Sequence, residues 1–196
     1  KYRLPERFLL HVGTLEPRKN LQRLVRALYQ IRQQGSDIRL VLVGAQGWHL
    51  NGLGQEIERL GLQDAVLFTG YVPGEDLPGL YSLATLFVFP SLYEGFGLPP
   101  IEAMACGAPV LSSNRGSLPE ICADAAYMVD PEDEQALAGG LLALLGDADW
   151  RAELSLRGQA QAGTFSWERA ARETALVYRR VLRPVAGEVT SLARQS

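Results

Sequence analysis

Short apolar runs recur along the 196-residue chain, and stretches with helical spacing separate them. Phe8, Leu9, Leu10, His11 and Val12 make the first run, and residues 39–43 make the second. Residues 66–68, 86–89, 110–112 and 126–129 follow. Runs this short and nearly continuous read as strands buried on both faces. Between the first two, Leu21, Leu24, Val25, Leu28 and Ile31 return every three or four positions, which is one face of an amphipathic helix. Further helices are expected over 56–60, around 75–82, from an Asp133 cap to residue 145, over 150–160 and over 167–182. Pro184 stops the last of them, and residues 183–196 read as a tail. Gly139 and Gly140 lie inside the Asp133 helix, where each costs about 1 kcal/mol relative to Ala. They either permit a close approach or weaken the helix.

Strand and helix alternate throughout, with no internal repeat and no low-complexity segment. That alternation predicts an α/β fold: a parallel sheet with helices on both faces. Ligands of such sheets sit beyond the carboxyl ends of the strands. The turn at Gly13, the segment at Tyr71 and the loop at Glu94 each follow a strand directly. They are therefore expected at one edge of the sheet.

Composition adds mainly exclusions. Hydrophobic residues make up 47% and charged residues 21%, ordinary values for a globular domain large enough to bury a core. A net charge of −3 argues against a generally cationic nucleic-acid binder. No apolar run approaches the ~20 residues of a membrane span. Cys106 and Cys122 have no metal-like spacing and read as two buried free thiols. His11, at a strand end, reads as a satisfied structural histidine and His49 as a solvated loop residue. The loop Gly44-Ala45-Gln46-Gly47 lacks both the GxGxxG pattern and the lysine of a phosphate-binding P-loop.

Residues 91–105 carry the chemistry. Glu94 and Glu102 stand eight positions apart, with Gly95 and Gly97 between them and Pro99-Pro100 just before the second. The glycines preclude a continuous helix, and prolines suit only a first helical turn. Glu94 is therefore expected in a loop and Glu102 in the opening turns of a helix. Glycine amides and a helix N-terminus would lie between them, a place for an anion flanked by hydroxyl-rich groups. A nucleotide sugar has that form. Arg18 and Lys19 follow Gly13-Thr14 in a turn shaped by Pro17, and paired cations suit a diphosphate. Cations are disfavoured at a helix start, so this pair is poorly explained as surface decoration.

This pattern resembles the E-x7-E signature of the retaining glycosyltransferases of group 1, also called family 4. Gly13-Thr14-Leu15-Glu16-Pro17-Arg18-Lys19-Asn20 resembles the family's basic turn, and Phe68-Thr69-Gly70-Tyr71-Val72 its segment beside the base. Gly107-Ala108-Pro109-Val110 and Leu118-Pro119-Glu120 match in the same order. The similarity runs from about residue 8 to 182. It implies one Rossmann-like half of a two-domain GT-B enzyme, with residues 1–182 as the donor-binding domain. The opening residues 1–5 resemble the linker entering that domain, so an N-terminal acceptor domain is expected to lie outside this chain. The final helix is expected to reach back toward it.

The resemblance assigns roles residue by residue. Arg18 and Lys19 are expected to hold the diphosphate and stabilise charge on the departing nucleotide. Glu94 would touch hydroxyls of the donor sugar, joined by the amides around Gly95, Phe96 and Gly97. The helix start at Leu98 would face the phosphates, and Glu102 would accept from the ribose hydroxyls. Gly13 belongs to the same donor site. Val72 would meet the base through its main chain, with Tyr71 either beside it or a wet rim aromatic. Arg18, Lys19 and Glu94 are the catalytic candidates. Each has a duller alternative: a solvated cation pair, an exposed loop acid, a helix-start Glu favoured by the dipole. Glu120 is expected to be structural. No metal or other cofactor is expected.

The implied reaction is hexose transfer with retention, from a nucleotide sugar to a glycan or lipid-linked acceptor. Residues 112–120 resemble bacterial mannosyltransferases of cell-surface polysaccharide synthesis, which suggests GDP-mannose. A UDP-glucose-type donor, a GT-B sugar-nucleotide 2-epimerase and a binding module without turnover are the alternatives. Two carboxylates working as a glycoside hydrolase would have to flank one glycosidic bond, and the helix start between them favours a phosphate instead. The isolated chain is expected to bind nucleotide and transfer little. A cytoplasmic location is expected, with any peripheral contact at the inner membrane face made through the other domain.

Overall fold

A computed structural model describes residues 1–45 and 51–182. His49, the Gln46-Gly47 half of the loop and the tail from 183 lie outside the described residues. The chain divides into two compact units, Lys1–Ala162 and Gly163–Ser196.

The first unit is built on six parallel strands: β1 (Phe8–Val12), β2 (Arg39–Val43), β3 (Val66–Gly70), β4 (Leu86–Phe89), β5 (Val110–Ser113) and β6 (Tyr127–Val129). Their order is β3-β2-β1-β4-β5-β6. The parallel sheet is what the alternation predicts, and its order is the doubly wound, Rossmann-like one that the family resemblance implies. Every residue of β1 and β4 is buried, as expected of central strands covered on both sides.

Successive residues of each strand feed opposite layers. Leu9, Leu40, Leu42, Leu86, Val88 and Leu111 face one layer, packed with Leu24, Leu28 and Ile31 of α1 (Leu21–Gln33) and Leu137, Leu141 and Leu144 of α6 (Glu134–Gly146). α2 (Asn51–Arg59) joins that layer through Leu53 and Ile57. Phe8, Leu10, Val41, Phe87, Phe89 and Val110 face the other layer. There they meet Tyr81 of α3 (Leu77–Leu83), Ala103 and Met104 of α4 (Leu98–Ala105) and Cys122 of α5 (Leu118–Cys122). α7 (Ala148–Ala162) packs beside α4 and α6.

Most expected elements are present, with shifted ends. α2 starts five residues before the expected 56, and β3 runs two residues beyond 68. α5 is an additional helix; five residues are too few for a periodic signal. Asp133 caps α6 as its position predicts, its side chain accepting from the Ala136 amide at 2.9 Å. The two glycines of α6 separate. A Cβ on Gly140 would stand 2.6 Å from the Tyr127 ring, so this glycine permits a close approach to β6. A Cβ on Gly139 would meet nothing within 4 Å. Both cysteines are free, but only Cys122 is buried; Cys106, at the end of α4, is half-buried.

The second unit contains α8 (Trp167–Val181). Ser166 caps it by accepting from the Arg169 amide at 3.1 Å, and Arg169 pairs with Glu173 one turn on at 2.8 Å. Among the described residues no helix is long and apolar enough to cross a membrane.

Candidate active site at the strand switch point

Strand order reverses direction between β1 and β4, the switch point beyond which ligands of such sheets bind. β1 delivers the basic turn and β4 delivers the Glu94 loop. The turn is short and stiff. Gly13 has φ 150°, a single 3-10 turn covers Pro17–Lys19, and Asn20 closes it in the left-handed conformation (φ 59°). A side chain at Gly13 would stand 3.3 Å from Lys19 Cε, so the glycine makes room for the lysine stem. Gly44, at the end of β2, lies directly against the Gly13 carbonyl, where a Cβ would collide with it.

The two loops are joined by charge and by backbone. Lys19 Nζ donates to Glu94 Oε1 at 2.6 Å, and Arg18 Nη1 donates to Glu94 Oε2 at 2.5 Å. Lys19 and Glu94 are almost fully buried, with side chains 6% and 10% exposed, whereas Arg18 is 44% exposed. Arg18 is also held by Glu16 at 2.6 Å and donates to the Tyr93 carbonyl at 3.2 Å. The Lys19 ammonium lies over the Phe89 ring, 4.7 Å from its centre, which adds a cation–π contact. Burial alone would lift the Glu94 pKa, but the hydrogen bonds from Lys19 and Arg18 outweigh it and hold the carboxyl below the ordinary glutamate range. Glu94 is thus an anion that already satisfies both cations.

Asn20 contributes a tie that its sequence position does not advertise. Its side-chain amide is buried and donates to the carbonyls of Pro90 (3.1 Å) and Pro131 (2.7 Å). Together with the Leu92 amide donating to the Arg18 carbonyl at 2.8 Å, it stitches the basic turn to the loop after β4 and to the loop after β6. From the far side, Gly116 and Ser117 support Glu94. A Cβ on Gly116 would stand 2.9 Å from the Glu94 carbonyl oxygen, and the Ser117 hydroxyl reaches that oxygen at 3.1 Å and the Phe96 carbonyl as well. In sequence only the Gly116-Ser117 pair before Leu118-Pro119 hints at this support: Gly116 takes φ 59°, and Ser117 stands at the N-cap position of α5 without a side-chain cap bond, its hydroxyl going to these carbonyls instead.

α4 begins where the prolines require. Gly97 precedes it at φ 126°, and Leu98, Pro99 and Pro100 form its first turn. The prolines have no N–H, so the unpaired donors of this helix start are confined to the Gly97 and Leu98 amides. Glu102 lies in the second turn, exposed, with its Oε2 accepting from the Tyr81 hydroxyl at 2.8 Å. Leu98 (47% exposed), Phe96 (48%) and Tyr93 (65%) leave an accessible apolar rim.

At the end of β3, Tyr71 is exposed and the Val72 side chain is buried in the second layer with Val12 and Val43. Only the main chain of Val72 is thus available to a ligand. Glu120 is exposed in the first turn of α5. His11 is fully buried and only half satisfied. Nδ1 pairs with the Val88 carbonyl at 3.0 Å and the ring stacks on Phe89, but Nε2 has no partner and faces the space above Gly13 near Lys19. Burial lowers its pKa to about 4, with Lys19 pushing the same way. The imidazole is neutral at pH 7, and a carbonyl can bond only a protonated Nδ1, so Nε2 is an acceptor.

The sequence is similar to known proteins along nearly its whole length. It is 45% identical to O-antigen chain mannosyltransferase B of Escherichia coli over 182 residues, 91% of this chain and 48% of that protein. It is 41% identical to the serotype-specific mannosyltransferase WbdA of Escherichia coli, across 87% of this chain and 21% of that protein. The chain therefore spans half or less of the length of these curated relatives. Among solved structures, sucrose-phosphate synthase of Thermosynechococcus elongatus superposes with a TM-score of 0.81 at 34% identity, covering 91% of this chain and 46% of that one. Anabaena Alr3699/HepE in complex with UDP-glucose superposes with a TM-score of 0.79 at 28% identity, over 88% of this chain and 48% of that one. The six parallel strands, their order and the match of residues 2–161 to the family described as "Glycosyl transferases group 1" agree, and this chain belongs to that family.

Proposed function

We propose that this chain is the donor-binding half of a retaining hexosyltransferase that moves mannose from GDP-mannose to a glycan or lipid-linked acceptor. One observation carries the proposal: two cations and a carboxylate converge at the switch point, beside a helix start whose open amides are confined to Gly97 and Leu98. The diphosphate lies across Arg18, Lys19 and those amides. Lys19 brings a charge that is desolvated before substrate arrives, and such charges act more strongly than in water. Arg18, partly exposed, closes on the outer phosphate oxygens with its planar fork.

When the bond from sugar to phosphate lengthens, negative charge grows on the departing diphosphate. The diphosphate takes over part of the cation contact that Glu94 holds in the free protein, and the amides of the helix start add to it. Glu94 then exchanges part of its cation contact for hydroxyls of the hexose and orients the ring. Glu102 accepts from the ribose hydroxyls, and the Val72 main chain lies beside the base. The acceptor hydroxyl is brought by a further domain and attacks the face from which the diphosphate leaves.

Mannose is favoured by the similarity to O-antigen chain mannosyltransferase B and to the serotype-specific mannosyltransferase WbdA, and GDP is the nucleotide that the proposal pairs with it. The likeness to a structure holding UDP-glucose favours the uridine alternative. Isothermal titration of this chain with GDP and with UDP, repeated on an Arg18→Ala/Lys19→Ala variant, tests the reading. Saturable binding of one nucleotide that the variant loses supports it and identifies the base. Binding that survives the double replacement, or no binding of either nucleotide, overturns it.

A further inference from the structure

Tyr81 is the one side chain among the described residues that hydrogen-bonds Glu102. The two come from different helices, α3 and α4, and are 21 positions apart. The tyrosine is 1% exposed, and its ring meets Phe87 of β4 edge-on at 5.4 Å. Its position is therefore set by the core. The carboxylate it touches is exposed at the end of a flexible side chain. A buried donor holds an exposed acceptor, not the reverse.

We propose that Tyr81 is a positioning residue for recognition of the nucleotide's ribose, acting through Glu102. The proposal rests on the reading of Glu102 as the ribose acceptor. A carboxylate can take two vicinal hydroxyls only if its plane faces them. A free glutamate samples many rotamers, and ordering it on binding costs affinity. The hydroxyl of Tyr81 occupies Oε2, restrains rotation about the terminal bond, and leaves Oε1 and the second lone pair of Oε2 as acceptors on an exposed residue. Burial, then the neighbouring Glu102 charge, raise the tyrosine pKa far above its ordinary value, so the phenol remains a donor wherever the fold persists. Phenylalanine at this position would fill the same space and leave the carboxylate free to turn.

The test compares GDP with 2′-deoxy-GDP, or UDP with 2′-deoxy-UDP if that base binds. Both affinities are measured on the unaltered chain, Tyr81→Phe, Glu102→Ala and the double variant, with thermal melts to confirm folding. The unaltered chain should prefer the ribonucleotide by roughly tenfold, the effect of one charge-assisted hydrogen bond. Tyr81→Phe should weaken ribonucleotide binding about threefold or more and change the deoxynucleotide less, so that the preference narrows. Glu102→Ala should abolish the preference, and adding Tyr81→Phe to it should change nothing further. Equal weakening of both nucleotides by Tyr81→Phe, with the preference still lost in Glu102→Ala, would reduce Tyr81 to a packing residue and leave the donor site standing. A full preference retained in Glu102→Ala would overturn the ribose reading and this inference with it. Absence of binding by the unaltered chain would do the same.

Discussion

Replacing Glu94 by Gln should make the free protein weaker and its grip on a diphosphate stronger. In the free state the carboxylate neutralises Lys19 at 2.6 Å and Arg18 at 2.5 Å. Gln keeps the shape but removes the charge. Lys19, with only 6% of its side chain exposed, then carries an uncompensated charge, whereas Arg18 at 44% is rescued by water and by Glu16. Breaking a buried pair from one side typically costs 3–5 kcal/mol; the retained amide oxygen and the solvated arginine reduce this to about 2–3 kcal/mol. For a chain of this size that is a fall of about 5–10 °C in Tm. The same replacement removes the group that competes with phosphate oxygens for both cations. Addition of GDP, UDP or pyrophosphate should therefore raise the Tm of Glu94→Gln by more degrees than that of the unaltered chain. Differential scanning calorimetry with and without each ligand reads both effects. The Glu94 pKa is depressed, so its contribution is present above the unfolded carboxyl pKa and lost as pH falls through the folded value. That part of the acid destabilisation should be missing in the variant. A Tm within a degree of the original, or a smaller ligand shift in the variant, would refute the view that Glu94 and the diphosphate share the same cations.

The glycine pair of α6 should respond to alanine in opposite directions. Gly139→Ala adds a methyl to open space and should stabilise by about 0.5–1 kcal/mol, whereas Gly140→Ala drives a methyl to 2.6 Å from the Tyr127 ring and should destabilise by about 1–3 kcal/mol. Urea melts of the two variants give the signs directly, and equal signs would contradict the packing described here. His11 should add an acid limb to the stability profile. Its folded pKa of about 4 lies below the ordinary 6.5, so its contribution is complete above 6.5 and lost as pH falls toward 4. The loss reaches about 3 kcal/mol, at about 1.4 kcal/mol per pH unit. Denaturation between pH 7 and 4 should be flatter in a His11→Gln variant, and an unchanged slope would mean that another group titrates there. Lys19 and Glu94 are the charged groups that face His11.

Much of the fold could be read one residue at a time. The buried runs at 8–12 and 86–89, the apolar face of α1 and the Asp133 cap each report a local constraint: burial on two faces, a 3.6-residue period, an unpaired amide at a helix start. The prolines at 99 and 100 placed the beginning of α4 for the same reason. α5 was not legible because a five-residue helix leaves no period to detect. Val72 was readable as a residue beside a strand end, but not as one whose side chain turns into the core.

The site divides along the same line. Sequence alone determined which groups carry charge and which backbone positions can be open: Arg18, Lys19, Glu94, Glu102 and the glycines around them. It did not determine that Lys19 and Glu94, 75 positions apart, meet in a nearly dry contact. Nor did it show that Asn20 reaches the Pro90 and Pro131 carbonyls, that Gly116 lies against the Glu94 backbone, or that Tyr81 holds Glu102. Those contacts depend on strand order. Alternating strands and helices satisfy their burial in many orders, because each strand's periodicity is blind to the identity of its neighbour. Only the tertiary structure put β4 beside β1, and that adjacency brings an acid and two cations, far apart along the chain, into contact.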